Sequence, residues 1–177
     1  MSIEKVYYDY AQIHEWVNTI TFQMYKDAWR PDYIVGLTRG GLVPAVIMSN
    51  ALDIPMHTLK VNLRDHVEGS ESNLWMAEDA FGYAGGGGTR TDPALRKNIL
   101  IVDDINDTGA TLDWIIQDWQ SGCLPTHHAW NAVWGNNVRF AVCIDNLSSN
   151  FSRKVDYCGT EINKSEQDVW IVYPWER

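Results

Sequence analysis

The chain has 177 residues, a formal net charge of −9 and 45% hydrophobic residues. This length suits one domain over residues 1–177 with a full hydrophobic core. The negative charge argues against nucleic acid or an anionic membrane as the main partner. No run of 18 apolar residues exists and the N-terminus lacks a secretory apolar core, so we expect no membrane span. Three widely spaced cysteines show neither metal-ligand spacing nor a disulfide framework, which predicts a cytoplasmic protein.

The first elements alternate between helix and strand. Apolar residues at helical spacing predict an amphipathic helix over residues 9–28, which Pro31 ends. The apolar run 33–37 predicts a strand, followed by a glycine turn and a second helix with Pro44 in its first turn. A further strand is expected over residues 56–63.

Residues 65–96 differ in character from the rest of the chain. They are polar, contain four consecutive glycines at 85–88, and show no sustained period. We expect an irregular insertion here. Its composition fits a mobile lid and a plain disordered loop equally well.

The C-terminal half returns to the alternating pattern. Four apolar residues at 99–102 predict a buried strand, followed by a helix that begins near Thr111. Further strands are expected around residues 129–134, 139–144 and 169–173. Alternating strands and helices predict an α/β fold with a mainly parallel twisted sheet flanked by helices.

The most informative motif lies where the 99–102 strand ends. Two carboxylates, Asp103 and Asp104, precede a loop with the sequence Asp107-Thr108-Gly109-Ala110-Thr111. Gly109 permits a turn geometry that other residues resist. The threonine hydroxyls and the N–H groups at the helix start form an anion cradle, which the helix dipole favours. Because open α/β sheets bind ligands at the carboxyl ends of their strands, this pattern predicts a site for a polyol and a phosphate.

This motif resembles the phosphoribosyl pyrophosphate (PRPP) site of the type I phosphoribosyltransferases. The segment from Leu37 to Pro44 is similar to the pyrophosphate loop of the xanthine-guanine branch, which stands close to the hypoxanthine-guanine enzymes. The resemblance implies that Asp103 and Asp104 grip the ribose hydroxyls and help retain Mg²⁺. It also implies that the loop 107–111, with Ala110 in its middle, anchors the 5′-phosphate.

Two residues receive catalytic roles from the resemblance. Arg39, beside Gly40, would bind the leaving diphosphate and stabilise its charge through a forked set of donors. Asp107 would lie near N7 of a purine and act as a general acid/base. A helix-capping role for Asp107 fits its position as well.

The C-terminal segment resembles the base-binding end of the same family. Trp170 would stack on the purine, and Ile171 would offer backbone groups to the ring edge; a closing core strand is the alternative. The family usually places a lysine after the preceding strand, where it donates to the 6-oxo group of the purine. In this chain Asp145 and Asn146 stand at that position. Asn146 would donate to the base through its amide. Asn106 also departs from the family pattern, which has an apolar residue at that position, and we expect it to alter packing under the loop more than chemistry.

The implied reaction joins PRPP and a 6-oxopurine (guanine, xanthine or hypoxanthine) into a nucleoside 5′-monophosphate, releasing diphosphate. The resemblance further implies that 65–96 is a flexible hood and that the protein is a homo-oligomer, a dimer or a tetramer. Two alternatives stay open. One is a phosphoribosyltransferase for another base, and the other is a regulator that binds PRPP or a nucleotide without turnover.

Overall fold

The structure is a computed structural model that describes residues 3–61, 63, 73–85 and 90–177. Within these residues the chain forms seven strands and four α-helices. In chain order they are β1 (Glu4–Tyr7), α1 (Tyr10–Lys26), β2 (Tyr33–Thr38), α2 (Leu42–Leu52), β3 (Met56–Lys60), α3 (Leu74–Phe81), β4 (Ile99–Asn106), α4 (Ala110–Gly122), β5 (Val138–Asn146), β6 (Tyr157–Ile162) and β7 (Val169–Val172).

The central sheet has five parallel strands in the order β3-β2-β4-β5-β6. The predicted α/β fold with a parallel sheet is therefore confirmed. The chain adds β3 on one side of β2 and then returns to place β4 on the other side. At such a switch point the loops leaving the two strands diverge, so a crevice opens between the carboxyl ends of β2 and β4.

The alternation of side chains along β2 and β4 divides the hydrophobic core into two layers. Ile34 and Leu100 face α1 and α2, whereas Val35 and Ile101 face the other side of the sheet, where α3 and α4 pack. All four side chains are buried. A strand covered on both faces reads as a continuous apolar run, which is why the sequence pattern identified both strands.

A second, two-stranded parallel sheet joins the ends of the described chain. The β1 strand pairs with β7, with Lys5 opposite Trp170 and Tyr7 opposite Val172. The sequence pattern identified β7 but not β1. The β1 strand is only four residues long and begins with two charged side chains, so it lacks an apolar run of its own.

The structure corrects two sequence-based expectations and adds one further strand that the sequence did not predict. Residues 65–96 are not irregular throughout, because α3 lies within them and buries Met76 and Phe81 completely. Residues 64–72 and 86–89 lie outside the described part of the chain, so the expected lid stays untested there. The segment around 129–134 is a 3₁₀ helix (His128–Ala132) rather than a strand, and β6 was not expected at all.

No helix in the described ranges is long and apolar enough to cross a membrane. The three cysteines, Cys123, Cys143 and Cys158, are free thiols.

A network of hydrogen bonds and an ion pair lies at the start of β5. The Asp156 carboxylate accepts a hydrogen bond from the Phe140 N–H at 2.7 Å. Nearby, Arg139 donates to Tyr157 and pairs with Asp27. Burial raises the pKa of Asp156 to about 6, against the opposing effects of the Phe140 N–H and the charge of Arg139.

This raised pKa predicts that the contribution of Asp156 to the free energy of unfolding falls as the pH rises from about 4 to about 6. In that window the folded state keeps the proton on Asp156 while the unfolded state has lost it, so a rise in pH favours unfolding. The free energy of unfolding should fall by about 1–2 kcal/mol from this group, since a tenfold change in proton affinity is worth about 1.4 kcal/mol and partial exposure reduces the effect.

Urea unfolding at several pH values checks this prediction. Asp156→Asn should remove the fall, because the amide oxygen still accepts from Phe140 and does not titrate. Asp168→Asn, which changes an exposed carboxylate, should leave the fall in place. An identical pH profile for wild type and Asp156→Asn would contradict the prediction.

Candidate active site

A cleft of about 1270 Å³ lies at the carboxyl edge of the central sheet. Its walls come from the loop after β2, the end of β4 with the following loop, and the segment around β7. Nearly all of the predicted site residues line it; Asn146 is the exception. The residues of that set which line the cleft are Arg39, Gly40, Asp103, Asp104, Asp107, Thr108, Gly109, Ala110, Thr111, Trp170 and Ile171.

The acidic pair forms the floor of the cleft and lies within the last four residues of β4, which extends to Asn106 rather than ending at residue 102 as the sequence predicted. The Asp103 carboxylate accepts from the Asp104 N–H at 2.9 Å, and the Asp104 carboxylate accepts from the Ile105 N–H at 2.8 Å. Burial raises the pKa of the Asp104 carboxyl, while hydrogen bonds from Asp103 and the Ile105 N–H oppose that rise. These local hydrogen bonds fix two carboxyl groups side by side, as the binding of adjacent sugar hydroxyls requires.

The loop after β2 lies directly against this pair. Its residues Thr38–Gly41 begin with a cis peptide bond between Thr38 and Arg39 and lead into α2. A Cβ at position 40 would overlap the Asp104 carboxylate and displace it, and a Cβ at position 41 would collide with the backbone oxygen of Val102. Arg39 is exposed at the rim of the cleft. A guanidinium and backbone N–H groups therefore stand next to the acidic pair, which is suitable for a diphosphate.

The loop after β4 forms the opposite wall. Gly109 has a φ of +90° and packs so closely on Phe151 that a side chain would collide with its backbone. The Thr108 hydroxyl accepts from the Ala110 N–H at 3.3 Å, and the Thr108 carbonyl accepts from the Asn150 N–H at 2.9 Å. The N-cap residue Gly109 has no side chain to cap α4, which leaves N–H groups of the first turn beyond that of Ala110 suited to an anion. The loop thus brings together the groups that the sequence predicted for a phosphate cradle, and phosphate binding itself stays a prediction.

Asp107, the first residue of that loop, forms an ion pair. Its Oδ1 lies 2.9 Å from Nζ of Lys164, and the two side chains are 30% and 17% exposed. Lys164 follows β6 by two residues, so it reaches the same edge of the sheet as Asp107. The Asp107 side chain makes this contact rather than a helix cap, and α4 begins at Ala110 without it.

Asn146 does not offer its amide to the cleft, which corrects its predicted base-binding role. Its Nδ2 donates to the Asp107 carbonyl at 2.8 Å, and its Oδ1 accepts from the Lys164 N–H at 3.0 Å. The Ser148 N–H and hydroxyl also donate to that Oδ1. Asn146 is 5% exposed and holds backbone segments together.

Asn106 is a second buried amide under the loop. Its Nδ2 donates to Asp145 at 2.8 Å and to the Ser149 hydroxyl at 3.0 Å. The expectation that this residue alters packing below the loop agrees with these contacts. They tie the end of β4 to the segment that follows β5.

The β7 segment supplies the aromatic wall. Trp170 is 48% exposed, whereas Ile171 is 8% exposed and packs in the core. A strand alternates its side chains between two faces, so the indole is placed on the surface and the isoleucine inside. An indole half exposed in a cleft is available for stacking, in contrast to the alternative of ordinary core packing.

The residues after β7 connect this wall to the acidic pair. The Tyr173 hydroxyl donates to the Asp104 carbonyl at 3.0 Å, and its ring stacks on Trp175 with centroids 4.8 Å apart. Burial, followed by the charge of Asp104, raises the pKa of Tyr173 well above its ordinary value. The hydroxyl therefore stays protonated and keeps donating to the backbone of Asp104.

Sequence reasoning missed several residues of the cleft. These are Lys60 at the end of β3, Lys164, and the group Tyr173, Trp175 and Glu176. The signal for Lys164 was its position just after a strand, but β6 itself has a mixed, half-buried pattern that does not read as a strand.

Comparisons with known proteins agree with this geometry. The family model described as the phosphoribosyl transferase domain matches residues 7–175. The chain therefore belongs to the phosphoribosyltransferase family, as the two loop motifs indicated.

The chain is 26% identical to a hypoxanthine-guanine phosphoribosyltransferase of Schizosaccharomyces pombe, over 97% of this chain and 89% of that protein. It is 33% identical to a xanthine-guanine phosphoribosyltransferase of Cereibacter sphaeroides, over 84% of this chain and 70% of that protein. Among solved structures it is similar to a purine phosphoribosyltransferase from Pyrococcus horikoshii, with a TM-score of 0.63 and 25% identity, covering 98% of this chain and 95% of that one.

Proposed function

We propose that this protein is a purine phosphoribosyltransferase that transfers the 5-phosphoribosyl group from PRPP to a 6-oxopurine. The products are a nucleoside 5′-monophosphate and diphosphate. The observation that carries the proposal is the meeting of two anion-binding loops, 38–41 and 107–111, on either side of the acidic pair Asp103–Asp104. This order matches a substrate with a phosphate at one end, a diphosphate at the other and a ribose between them.

The proposed role of each residue follows from its position in the cleft. The 107–111 loop anchors the 5′-phosphate, so binding energy far from the reacting carbon positions it. Arg39 and the backbone of Gly40 stabilise charge on the departing diphosphate. Asp107 takes up the proton that the purine loses, and Trp170 fixes the plane of the ring.

Mg²⁺ is a proposed cofactor, held by Asp103 and Asp104. The donor set fits, because Mg²⁺ is commonly bound by one or two carboxylates together with substrate phosphates and water. The close contact between Gly40 and the Asp104 carboxylate places this pair beside the loop for the diphosphate. When bound, the ion would offset negative charge on the leaving group.

A cytoplasmic location, a homo-oligomeric state and a lid formed by part of residues 65–96 stay predictions that accompany this proposal.

An assay with PRPP, Mg²⁺ and a panel of bases tests the function. We expect turnover with hypoxanthine, xanthine or guanine and none with uracil or orotate, measured by absorbance or by radiolabelled base. Turnover with a pyrimidine alone would replace the proposal with a phosphoribosyltransferase for another base. Clear PRPP binding without turnover of any base would favour the non-catalytic regulator.

Asp107→Asn should lower kcat about 100-fold or more and leave the Kd for PRPP nearly unchanged. The amide cannot accept the purine proton, and general acid/base groups contribute about 10²–10⁴-fold in rate. Asp53→Asn is the matched control, since Asp53 is an exposed residue at the far end of α2. Equal losses in kcat and in PRPP affinity would assign Asp107 a structural role instead.

Trp170→Ala should raise the KM for the base about 10-fold and change the KM for PRPP little. Stacking of a base on an aromatic ring is worth about 1–3 kcal/mol. Trp75→Ala is the control, because Trp75 is 44% exposed and does not line the cleft. An unchanged KM for the base would remove Trp170 from the base site.

A further inference from the structure

Lys164 is the cation of the cleft that lies closest to the proposed acid/base residue. Its Nζ is 2.9 Å from Asp107, and its side chain is only 17% exposed. It lines the cleft together with Trp170 and Ile171. The ammonium group is therefore held on the side of the cleft where the base would stack, rather than at the diphosphate loop.

The other cations of the described cleft lie elsewhere. Lys60 ends β3, at the opposite edge of the sheet from β6. Arg39 belongs to the loop after β2. Arg177 donates to the Tyr8 carbonyl and stacks over the ring of Tyr7. This distribution leaves Lys164 as the cation placed for the base.

Asn146 fixes where the lysine stands. Its amide bridges the backbone of two loops, by donating to the Asp107 carbonyl at 2.8 Å and accepting from the Lys164 N–H at 3.0 Å. The Asn146 side chain, which makes both hydrogen bonds, is 5% exposed. A single buried amide thus holds together the two backbone segments that carry the carboxylate and the ammonium group.

The geometry points to Lys164 as the residue that selects an oxo group at position 6 of the purine, with Asn146 as its positioning residue. This inference rests on the proposed function and deepens it. The edge of guanine presents two neighbouring acceptors, N7 and O6, whereas adenine presents N7 and an amino donor. An ammonium group donates three hydrogen bonds and accepts none, so it pairs with the oxo oxygen and opposes the amino group.

The pairing with Asp107 gives the lysine a partner before the base arrives. Once a 6-oxopurine enters, the ammonium donates to O6, and Asp107 is left beside the adjacent ring nitrogen to exchange its proton. Lys164 follows β6. The family resemblance placed a lysine one strand earlier, just after β5. Asn146 occupies that position and holds the relocated cation instead of replacing it.

Lys164→Met tests the assignment, with Lys154→Met as the control at an exposed lysine. We expect kcat/KM for the preferred 6-oxopurine to fall about 10- to 100-fold, as loss of a hydrogen bond to a charged group implies. The ratio of 6-oxopurine to adenine in kcat/KM should fall at least 10-fold, and the Kd for PRPP should stay within about twofold. Lys164→Arg should keep the preference for the oxo group better than Lys164→Met does.

Binding of product nucleotides provides a second readout that needs no turnover. Wild type should bind GMP or IMP more tightly than AMP, and Lys164→Met should reduce that difference about 10-fold. This measurement is combined with thermal unfolding, so that a misfolded variant is recognised. Should Lys164→Met fail to fold, the milder Lys164→Gln is taken through the same two measurements.

The positioning role of Asn146 is tested in the same series. Asn146→Ala should lower kcat/KM for the 6-oxopurine with little change in PRPP affinity, and the double variant with Lys164→Met should be no worse than Lys164→Met alone. If the losses in kcat/KM of the two single variants multiply in the double variant, the positioning role is contradicted.

The outcomes separate this inference from the proposed function. If wild type uses 6-oxopurines and Lys164→Met retains the wild-type preference over adenine, the inference is overturned and the function stands. If wild type uses no purine at all, the proposed function fails first, whatever the variants do. Parallel losses of PRPP and base affinity in Lys164→Met would also overturn the inference, since they indicate a structural role.

Discussion

The close contact between the 38–41 loop and the end of β4 determines the rest of the site. Because positions 40 and 41 are glycines, the loop lies directly on the Asp104 carboxylate and on the backbone of Val102. The pairing of Gly36 with Val102 brings the ends of β2 and β4 to nearly the same level. Two loops that we propose to bind anions therefore flank two carboxylates. The proposed substrate would then have both of its charged ends bound and its ribose between them.

A second set of contacts organises the side of the cleft where the base would enter. Asp107 comes from the end of β4, Asn146 from the end of β5 and Lys164 from just beyond β6. The buried amide joins the other two through their backbones. This arrangement links the residue proposed to move a proton with the residue proposed to recognise the atom at position 6, because neither backbone segment can shift without breaking a hydrogen bond to Asn146.

The small β1–β7 sheet links these two regions. It presents the Trp170 indole to the cleft, and three residues later the Tyr173 hydroxyl donates to the backbone of Asp104. The aromatic wall and the acidic floor are thus parts of one connected structure. A ligand that stacks on Trp170 contacts the same segment that supports the proposed ribose-binding carboxylates.

The sequence by itself determined those parts of the protein whose signals are contiguous. The apolar run of β4, its two carboxylates, the 107–111 loop and the start of α4 can all be recognised within some fourteen positions. The glycine turn after β2 and the indole of Trp170 on β7 are equally local. Only the tertiary structure decided the rest. The β1 and β6 strands are short or half-buried and contain charged or glycine residues, so they are stabilised by pairing with strands distant in the chain. The sequence singled out Asn146 but placed its amide at the base, and it did not single out Lys164, because the contacts of both residues join three strand ends that are distant in the chain.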